Sequence, residues 1–383
     1  MSFAQPTDGV ISNREASLAG LYDDIHRNNM FPFWATSSSV EHDEIKQLMA
    51  TAKAVPFVWK FSKIEPLLQR AATLVTMADS ERRSLILINP GLAPKRASVS
   101  TMYTAYRLND PNEIMPPHKH SPSAIRFGLI GSGNFTGVEG EDVTFGPGDM
   151  VLTPNDAWHN HGTVGGEQAI NLSVLDLPLI ETLNAVHFDH KYTEMENGTE
   201  IEKKVQTSRY PSDYSQRIYG EGGLKPRFVD HLRGGGLSSP MYVYRWANME
   251  AALDVYKDWP GDPHEGIVVD YIDPTTGGSV FRTIGFYVQM LRPGEKTLAQ
   301  RETASLLLSP FRGKGYSLID GKRYDWDQFD TLAIPGGCWV EHVNSSDKEP
   351  VIFFGATDAP TQRTLLLYKR WGRNEAGDLL RLE

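Results

Sequence analysis

The sequence predicts a mainly β protein in which two small barrels or jelly rolls follow an N-terminal helical arm. The 383 residues include 34 Gly and 24 Pro, and turn residues separate short segments in which apolar and polar side chains alternate. Such a pattern favours short strands joined by tight turns. The stretch from Ile114 to His161 also has a second, altered copy from Leu291 to His342. Duplication of a strand-rich unit predicts two barrels of the same kind.

The first 80 residues are predicted to be largely helical. Amphipathic patterns extend over residues 13–30, 42–54 and 64–77. In the third of these, apolar side chains recur at i, i+3, i+4 and i+7, which places them on one face of a helix. We expect these helices to form an arm that packs either on another subunit or on the barrel that follows it.

Strand-like alternation then replaces the helical period. Short strands are predicted within residues 82–91, 100–109, 124–130, 134–145 and 150–154, and strands return from residue 280 onward. Between them, a polar and glycine-rich region predicts a connector with one short helix over residues 249–257. The predicted division is an arm with a leading strand (1–98), a first barrel (99–180), a connector (181–275) and a second barrel (276–383).

Charge and composition exclude several classes of protein. The formal net charge is −10, and no run of Lys or Arg exceeds two residues, so a nucleic-acid partner is not expected. No segment has the pattern of a secretion signal or of a membrane span. The single cysteine, Cys338, fits a reducing compartment. These features predict a cytoplasmic protein with no membrane partner.

Four histidines form the most informative motif in the sequence. His118 and His120 are one residue apart, so on a strand both side chains point to the same face. His159 and His161 follow after a Gly-Asp turn and repeat that spacing. Isolated buried histidines are usually core residues, but this arrangement predicts that His118, His120 and His159 bind a metal ion and leave coordination positions open. For His161, a contact with a ligand or the substrate and a structural role are both open.

In the second copy of the duplication the metal-binding residues are lost. The positions of His118, His120 and His159 are taken by Gln300, Glu302 and Val340. Valine has no ligand atom, so the second barrel is predicted to have become a scaffold. An alternative is a makeshift site that joins Glu302 with Glu341 or His342.

Four segments carry a resemblance to a known family: HKHSPSAIRF, GDMVLTPNDAWHNHG after it, LYDDIHRNNMFPFW near the start, and DGKRYDWDQFDTLAIP in the second half. Together they resemble the bicupin gentisate 1,2-dioxygenase family, which has relatives that act on salicylate and 1-hydroxy-2-naphthoate. The resemblance implies a bicupin fold and Fe(II) held by the three histidines. It also implies that Arg126 binds the substrate carboxylate, that Arg83 is a further substrate-site arginine, and that the protein is a homotetramer. For Arg126 a salt bridge that closes the barrel mouth is the alternative, and for Arg83 the sequence alone favours a structural or supporting role.

The sequence departs from the family at the substrate pocket. Tyr103, Ala105 and Arg107 stand where the family commonly has Trp, Gly and Gln, and Ser173 stands where it has Asp. We expect these four residues to contact the substrate.

The resemblance implies an Fe(II)-dependent ring-cleaving dioxygenase that uses O₂. Its substrate would be a hydroxylated aromatic acid, either gentisate-like or bulkier and differently substituted. Arg126 and His161 would act in catalysis, His161 by transferring a proton. Two alternatives stay open: a metal-dependent cupin with lyase, isomerase or hydrolase chemistry, and a bicupin that binds a small acid without converting it.

Overall fold

The computed structural model describes residues 8–30, 53–75, 83–229, 231 and 240–383. The chain divides into two compact units, Met1–Lys53 and Ala54–Glu383. The first unit contains helix α1 (Asp8–Arg27), where the sequence predicted a helix over 13–30. The helix predicted over 42–54 lies almost wholly outside the described residues.

The first half of the second unit is rich in strands. In chain order its elements are β1 (Phe57–Trp59), α2 (Phe61–Leu74), β2 (Ser84–Ile86), β3 (Tyr103–Asn109), β4 (Lys119–His120), β5 (Ala124–Ile130), β6 (Asn134–Val138), β7 (Glu141–Phe145), β8 (Met150–Thr153), β9 (His159–Thr163), β10 (Ala169–Leu175), α3 (Leu177–Thr182), β11 (Phe188–Asp189), β12 (Thr193–Glu196), β13 (Thr199–Glu202) and α4 (Tyr214–Tyr219).

The second half repeats this order. Its elements are β14 (Val243–Tyr244), α5 (Trp246–Tyr256), β15 (Ile267–Tyr271), β16 (Gly285–Leu291), β17 (Gln300–Glu302), β18 (Leu306–Arg312), β19 (Gly315–Ile319), β20 (Lys322–Trp326), β21 (Thr331–Ile334), β22 (Val340–Asn344), β23 (Val351–Thr357), α6 (Ala359–Thr364), β24 (Arg370–Arg373) and β25 (Leu379–Arg381).

These strands form two barrels. The first combines a six-stranded sheet of order β14-β8-β5-β10-β3-β2 with a three-stranded sheet β7-β6-β9 and the pair β11-β4. The second combines two six-stranded sheets, β1-β21-β18-β23-β16-β15 and β20-β19-β22-β17-β24-β25. The predicted mainly β, two-barrel architecture is confirmed. None of the described helices is both long and apolar enough to cross a membrane.

Each barrel borrows an edge strand from the segment that leads into the other barrel. Strand β1 precedes the first barrel but pairs with β21 of the second, with Phe57 opposite Ala333. Strand β14 precedes the second barrel but pairs with β8 of the first, with Val243 opposite Val151. The two leading strands are thus exchanged. The predicted connector therefore contains β14 of the first barrel's sheet and β15 of the second barrel's sheet.

The large sheets of the two barrels pack against each other through aromatic side chains. Phe127 of β5 stacks on Phe354 of β23 with ring centroids 4.1 Å apart, and it meets Phe311 of β18 edge-on at 5.3 Å. Both Phe127 and Phe354 are almost fully buried. Aromatic pairs of this kind contribute packing beyond the area that they bury, so the interface between the barrels is a continuous hydrophobic core.

Two aspartates tie the barrels together in a symmetric way. Asp176 accepts one hydrogen bond from the backbone N–H of Ser123 at 2.8 Å and one from the hydroxyl of Thr283, in the other half, at 2.6 Å. Asp358 repeats the arrangement in the second barrel and accepts the hydroxyl of Thr101. Burial raises the pKa of Asp176 to about 6.

We expect Thr283→Val to lower the free energy of unfolding by about 1–3 kcal/mol, because the buried Asp176 carboxyl loses a donor. The loss should be larger well above pH 6 than at about pH 5. Asp176 is ionised in the folded protein only above its raised pKa, and an ionised carboxylate depends more on the missing donor. Urea unfolding at both pH values measures this, with Thr199→Val on an exposed strand as the control. Equal losses at both pH values would contradict the assignment.

Candidate metal centre

Three buried histidines converge inside the first barrel. A β-bridge places His118 opposite His159 at the start of β9, and His120 lies on β4. The ring centroid of His159 is 4.3 Å from that of His118 and 4.7 Å from that of His120. One ligand atom from each of the three rings lies within 4.8 Å of the others. The strand alternation that predicted this cluster is therefore realised in the structure.

Backbone carbonyls fix which nitrogen of each ring faces the centre. The Nδ1 atoms of His118, His120 and His159 lie 3.3, 2.8 and 2.7 Å from the carbonyl oxygens of Pro116, Pro122 and Ala157. A carbonyl only accepts, so each Nδ1 carries the proton and donates. Each Nε2 therefore keeps a lone pair, which is the tautomer that a metal ion requires.

The electrostatics of the cluster favour uncharged rings. Burial lowers the pKa of His159 well below its usual range, and the neighbouring His118 and His120 lower it further. The Nε2 atom of His159 is buried and has no hydrogen-bond partner among the described residues. A buried polar atom without a partner is costly. The donor set of three neutral imidazoles with an unsatisfied lone pair fits a divalent transition-metal ion.

A cavity of about 230 Å³ opens beside the three histidines. Its wall is formed by Ser84, Ile86, Arg96, Tyr103, Ala105, Arg107, Met115, His118, His120, Arg126, His161, Ser173, Leu175, Leu177 and Phe188. Three of these side chains are guanidinium groups and none is a carboxylate. The cavity is therefore suited to an anionic molecule.

Arg126 and His161 form a chain of hydrogen bonds along this wall. Nη2 of Arg126 lies 3.0 Å from Nε2 of His161, and Nδ1 of His161 lies 3.0 Å from the hydroxyl oxygen of Thr136. A guanidinium only donates, so His161 accepts at Nε2 and is protonated at Nδ1. Burial, followed by the charge of Arg126, lowers the pKa of His161 well below its usual range. The neutral ring of His161 thus orients Arg126. Proton transfer by His161, which was suggested from the sequence, stays a prediction.

The predicted substrate contacts Tyr103, Ala105, Arg107 and Ser173 all reach the cavity. Ser173 on β10 lies opposite Ala105 on β3, and its hydroxyl donates to the carbonyl of Ala105 at 3.3 Å. Arg107 is buried and donates from Nε to Asn109 at 2.6 Å. Small side chains at 105 and 173 leave room next to the metal ligands, while Arg107 adds a positive charge.

Arg83 makes the structural contacts that the sequence alone favoured and not the substrate contact that the resemblance implied. Its guanidinium donates to Asp110 at 2.9 Å, to Glu113, and to the backbone carbonyl of Ala72 at 3.0 Å. It is not among the residues that form the cavity wall. The structure therefore gives Arg83 a bracing contact between α2 and the loop after β3.

Some wall residues were missed at the sequence level. Arg96 precedes strand β3 in an irregular segment, and Phe188 follows β10 in the two-residue strand β11. Such segments are too short for an alternation of apolar and polar residues to show which side chains point inward. Arg96 is exposed and pairs with Glu181 at 2.9 Å. The pairing of Phe188 with His120 across β11 and β4 brings Phe188 to the metal ligands.

The second barrel does not form the makeshift metal site. Glu341 pairs with Lys296 at 2.7 Å, and Nδ1 of His342 lies 2.8 Å from the hydroxyl of Ser317. Burial lowers the pKa of His342 to about 4. Within the described part of the chain, the His118–His120–His159 group is the one that can hold a metal ion.

Comparison with known proteins gives a consistent picture. Residues 109–175 match the cupin domain family. The chain is 31% identical over 363 residues to 5-aminosalicylate 1,2-dioxygenase from Comamonas sp, covering 93% of this chain and 90% of that protein. It is 32% identical over 347 residues to gentisate 1,2 dioxygenase 1 from Aquipseudomonas alcaligenes, covering 90% and 93%. The structure of salicylate 1,2-dioxygenase from Pseudoaminobacter salicylatoxidans as adducts with gentisate is similar, with a TM-score of 0.79 and 26% identity over 97% of this chain and 96% of that one.

His159→Ala should abolish stoichiometric metal binding. Loss of a direct ligand is expected to weaken metal affinity by more than the ~10–100-fold that loss of a supporting contact costs. Metal analysis of protein incubated with Fe(II) or Co(II) and then desalted measures this. The control is His187→Ala, which alters a more exposed histidine. Equal metal content in both variants would show that His159 is not a ligand.

Proposed function

The chain belongs to the gentisate 1,2-dioxygenase family of ring-cleaving bicupin enzymes, and we propose that it uses Fe(II) and O₂ to cleave the ring of an aromatic acid with neighbouring carboxylate and hydroxyl groups. The observation that carries this proposal is the trio of neutral imidazoles whose Nε2 atoms face one another beside a cavity with three arginines. The similarity to dioxygenases over about nine tenths of the chain supports the same activity.

The metal, when bound to His118, His120 and His159, supplies redox chemistry toward O₂ and coordination positions for substrate oxygens. The protein supplies the rest. Three neutral ligands leave the ion's positive charge uncompensated, which favours binding of an anionic substrate. The three ligands, Arg126 and His161 are buried, which limits the contact of the reacting groups with water.

Arg126 is the residue best placed to bind the substrate carboxylate. Its Nη1 donates to the carbonyl of Ile125 at 2.9 Å, and its Nη2 meets the ring of His161. These two contacts hold the guanidinium plane at the cavity wall, where planar donors match a carboxylate. We propose that His161 acts by holding Arg126 in the orientation that binds the carboxylate.

The lining residues also limit the choice of substrate. Tyr103 and Arg107 provide polar groups where the family commonly has other residues, and Ser173 removes a negative charge. This lining favours an acid that differs from gentisate in size or substitution. The cytoplasmic location and the homotetramer stay predictions.

We expect Fe(II)-loaded protein to consume O₂ in proportion to substrate loss with at least one member of a panel of gentisate, salicylate, 5-aminosalicylate and hydroxynaphthoates. An oxygen electrode combined with chromatography measures both quantities. His159→Ala should be inactive, and His187→Ala should retain activity. Substrate conversion that proceeds equally without O₂ would favour the non-redox cupin chemistry instead. Bound iron without any conversion would contradict the proposal.

Arg126→Gln should lower kcat/KM mainly by raising KM. Loss of a hydrogen bond to a charged group costs about 1.5–3 kcal/mol, which corresponds to ~10–150-fold. Steady-state kinetics on the best substrate of the panel measures this, and iron content should be unchanged. Arg323→Gln, at an exposed site, serves as the control. An unchanged KM would indicate that another group binds the carboxylate.

A further inference from the structure

The second barrel contains a polar cavity of about 180 Å³. Its wall is formed by Glu265, Val268, Asp270, Tyr287, Glu302, Leu306, Thr357, Ala359, Arg363, Tyr368, Arg370 and Glu383. The activity of the first barrel uses none of these residues.

The strand register shows that this cavity corresponds to the metal-site cavity. His120 on β4 lies opposite Phe188 on β11, and Glu302 on β17 lies opposite Arg370 on β24. Glu302 thus takes the place of a metal ligand, and Arg370 that of an aromatic wall residue. The duplication has kept the cavity and replaced its lining.

A second pair of strands, β3–β10 in the first barrel and β16–β23 in the second, shows how the cavity lining differs between the two barrels. Ala105 lies opposite Ser173 in the first barrel, and Tyr287 lies opposite Gly355 in the second. A Cβ on Gly355 would lie 2.4 Å from the ring of Tyr287, so only glycine accommodates this ring. Tyr287 therefore occupies space that the first barrel leaves to its metal and substrate.

The hydroxyl group of Tyr287 is available to a ligand. The residue is 9% exposed and contributes to the cavity wall. Its hydroxyl has no hydrogen-bond partner among the residues that the structure describes. The hydroxyl faces the cavity, so it is free to donate to a polar molecule that enters there.

The charges of the wall indicate which kind of molecule fits. It contains four carboxylate side chains and two guanidinium groups. Arg370 pairs with Glu265 at 2.9 Å and Arg363 with Glu383 at 2.7 Å. Glu302 and Asp270 form no ion pair with the described residues, and Glu302 accepts only the hydroxyl of Tyr368, at 2.9 Å. These two carboxyl groups have no ion pair within 4 Å among the described residues, while Arg370 and Arg363, which act on them electrostatically, are paired with Glu265 and Glu383.

We infer that the second barrel binds a small organic ammonium ion, with Glu302 as its ionic partner and Tyr287 donating to a second polar group of the ligand. Burial raises the pKa of Glu302 to about 7, and a bound cation would favour the ionised carboxylate. A divalent metal ion fits less well, because no group of three ligand atoms converges in this part of the described structure.

A matched series of probes tests the inference on the full-length, metal-loaded protein. Ethanolamine carries an ammonium and a hydroxyl group, ethylene glycol is its neutral counterpart, and glycolate is its anionic one. Titration calorimetry at about pH 8 should give binding of one ethanolamine per chain, with Kd on the order of 1 mM or tighter. Ethylene glycol and glycolate should bind at least ~10-fold more weakly, and MgCl₂ should not compete.

Two variants place the binding in the second barrel. Glu302→Gln should weaken ethanolamine binding by at least ~10-fold, and Tyr287→Phe by several-fold, with the first-barrel metal content unchanged. Glu375→Gln, at an exposed glutamate of the same barrel, should bind like the unaltered protein. If Glu302→Gln does not fold, Tyr287→Phe alone decides. Preferential binding of glycolate, competition by MgCl₂, or ethanolamine binding that neither variant weakens would overturn the inference.

Discussion

Three imidazole rings share the interior of the first barrel, and a dry interior accepts them together only while all three are neutral. The carbonyl groups of Pro116, Pro122 and Ala157 secure that state, because each accepts a hydrogen bond from Nδ1–H and so leaves the Nε2 lone pair facing inward. Each acceptor lies two residues from its histidine, so the local chain path sets both the ring orientation and the tautomer. The cavity, the orientation of Arg126 and the proposed chemistry all follow from this arrangement.

The sequence predicted the metal ligands because their signal is local. Alternation on a strand places His118 and His120 on one face, and the repeated spacing marks His159. The strands and the two copies of the repeat were also predicted, because alternation of side chains within each short segment is visible in the sequence itself. The actual contacts of Arg83 were not predicted, since its partners Asp110 and Glu113 lie about 30 residues away and no period connects them.

The pairing of β1 and β14 was also beyond the sequence pattern. Alternation indicates that a segment is a strand but does not identify its neighbour, which depends on register and packing over the whole chain. Residues 181–275 were therefore interpreted as a connector, although β14 and β15 complete sheets. The cavity of the second barrel was missed for a related reason. Glu302, Tyr287 and Arg370 come from three separate strands, and only the fold brings them together.

The exchange of β1 and β14 affects how the protein is synthesised. Chains emerge from the ribosome N-terminus first, and domains generally fold in that order. Here the first barrel has an open edge at β8 until residues 243–244 have been made, and β1 has no partner until β21 appears. Unpaired edges of this kind readily join other chains. The nascent protein therefore has to keep the β8 edge protected until residue 244 has been made and β1 protected until residues 331–333 have been made, so neither barrel completes its sheet from its own half of the chain alone.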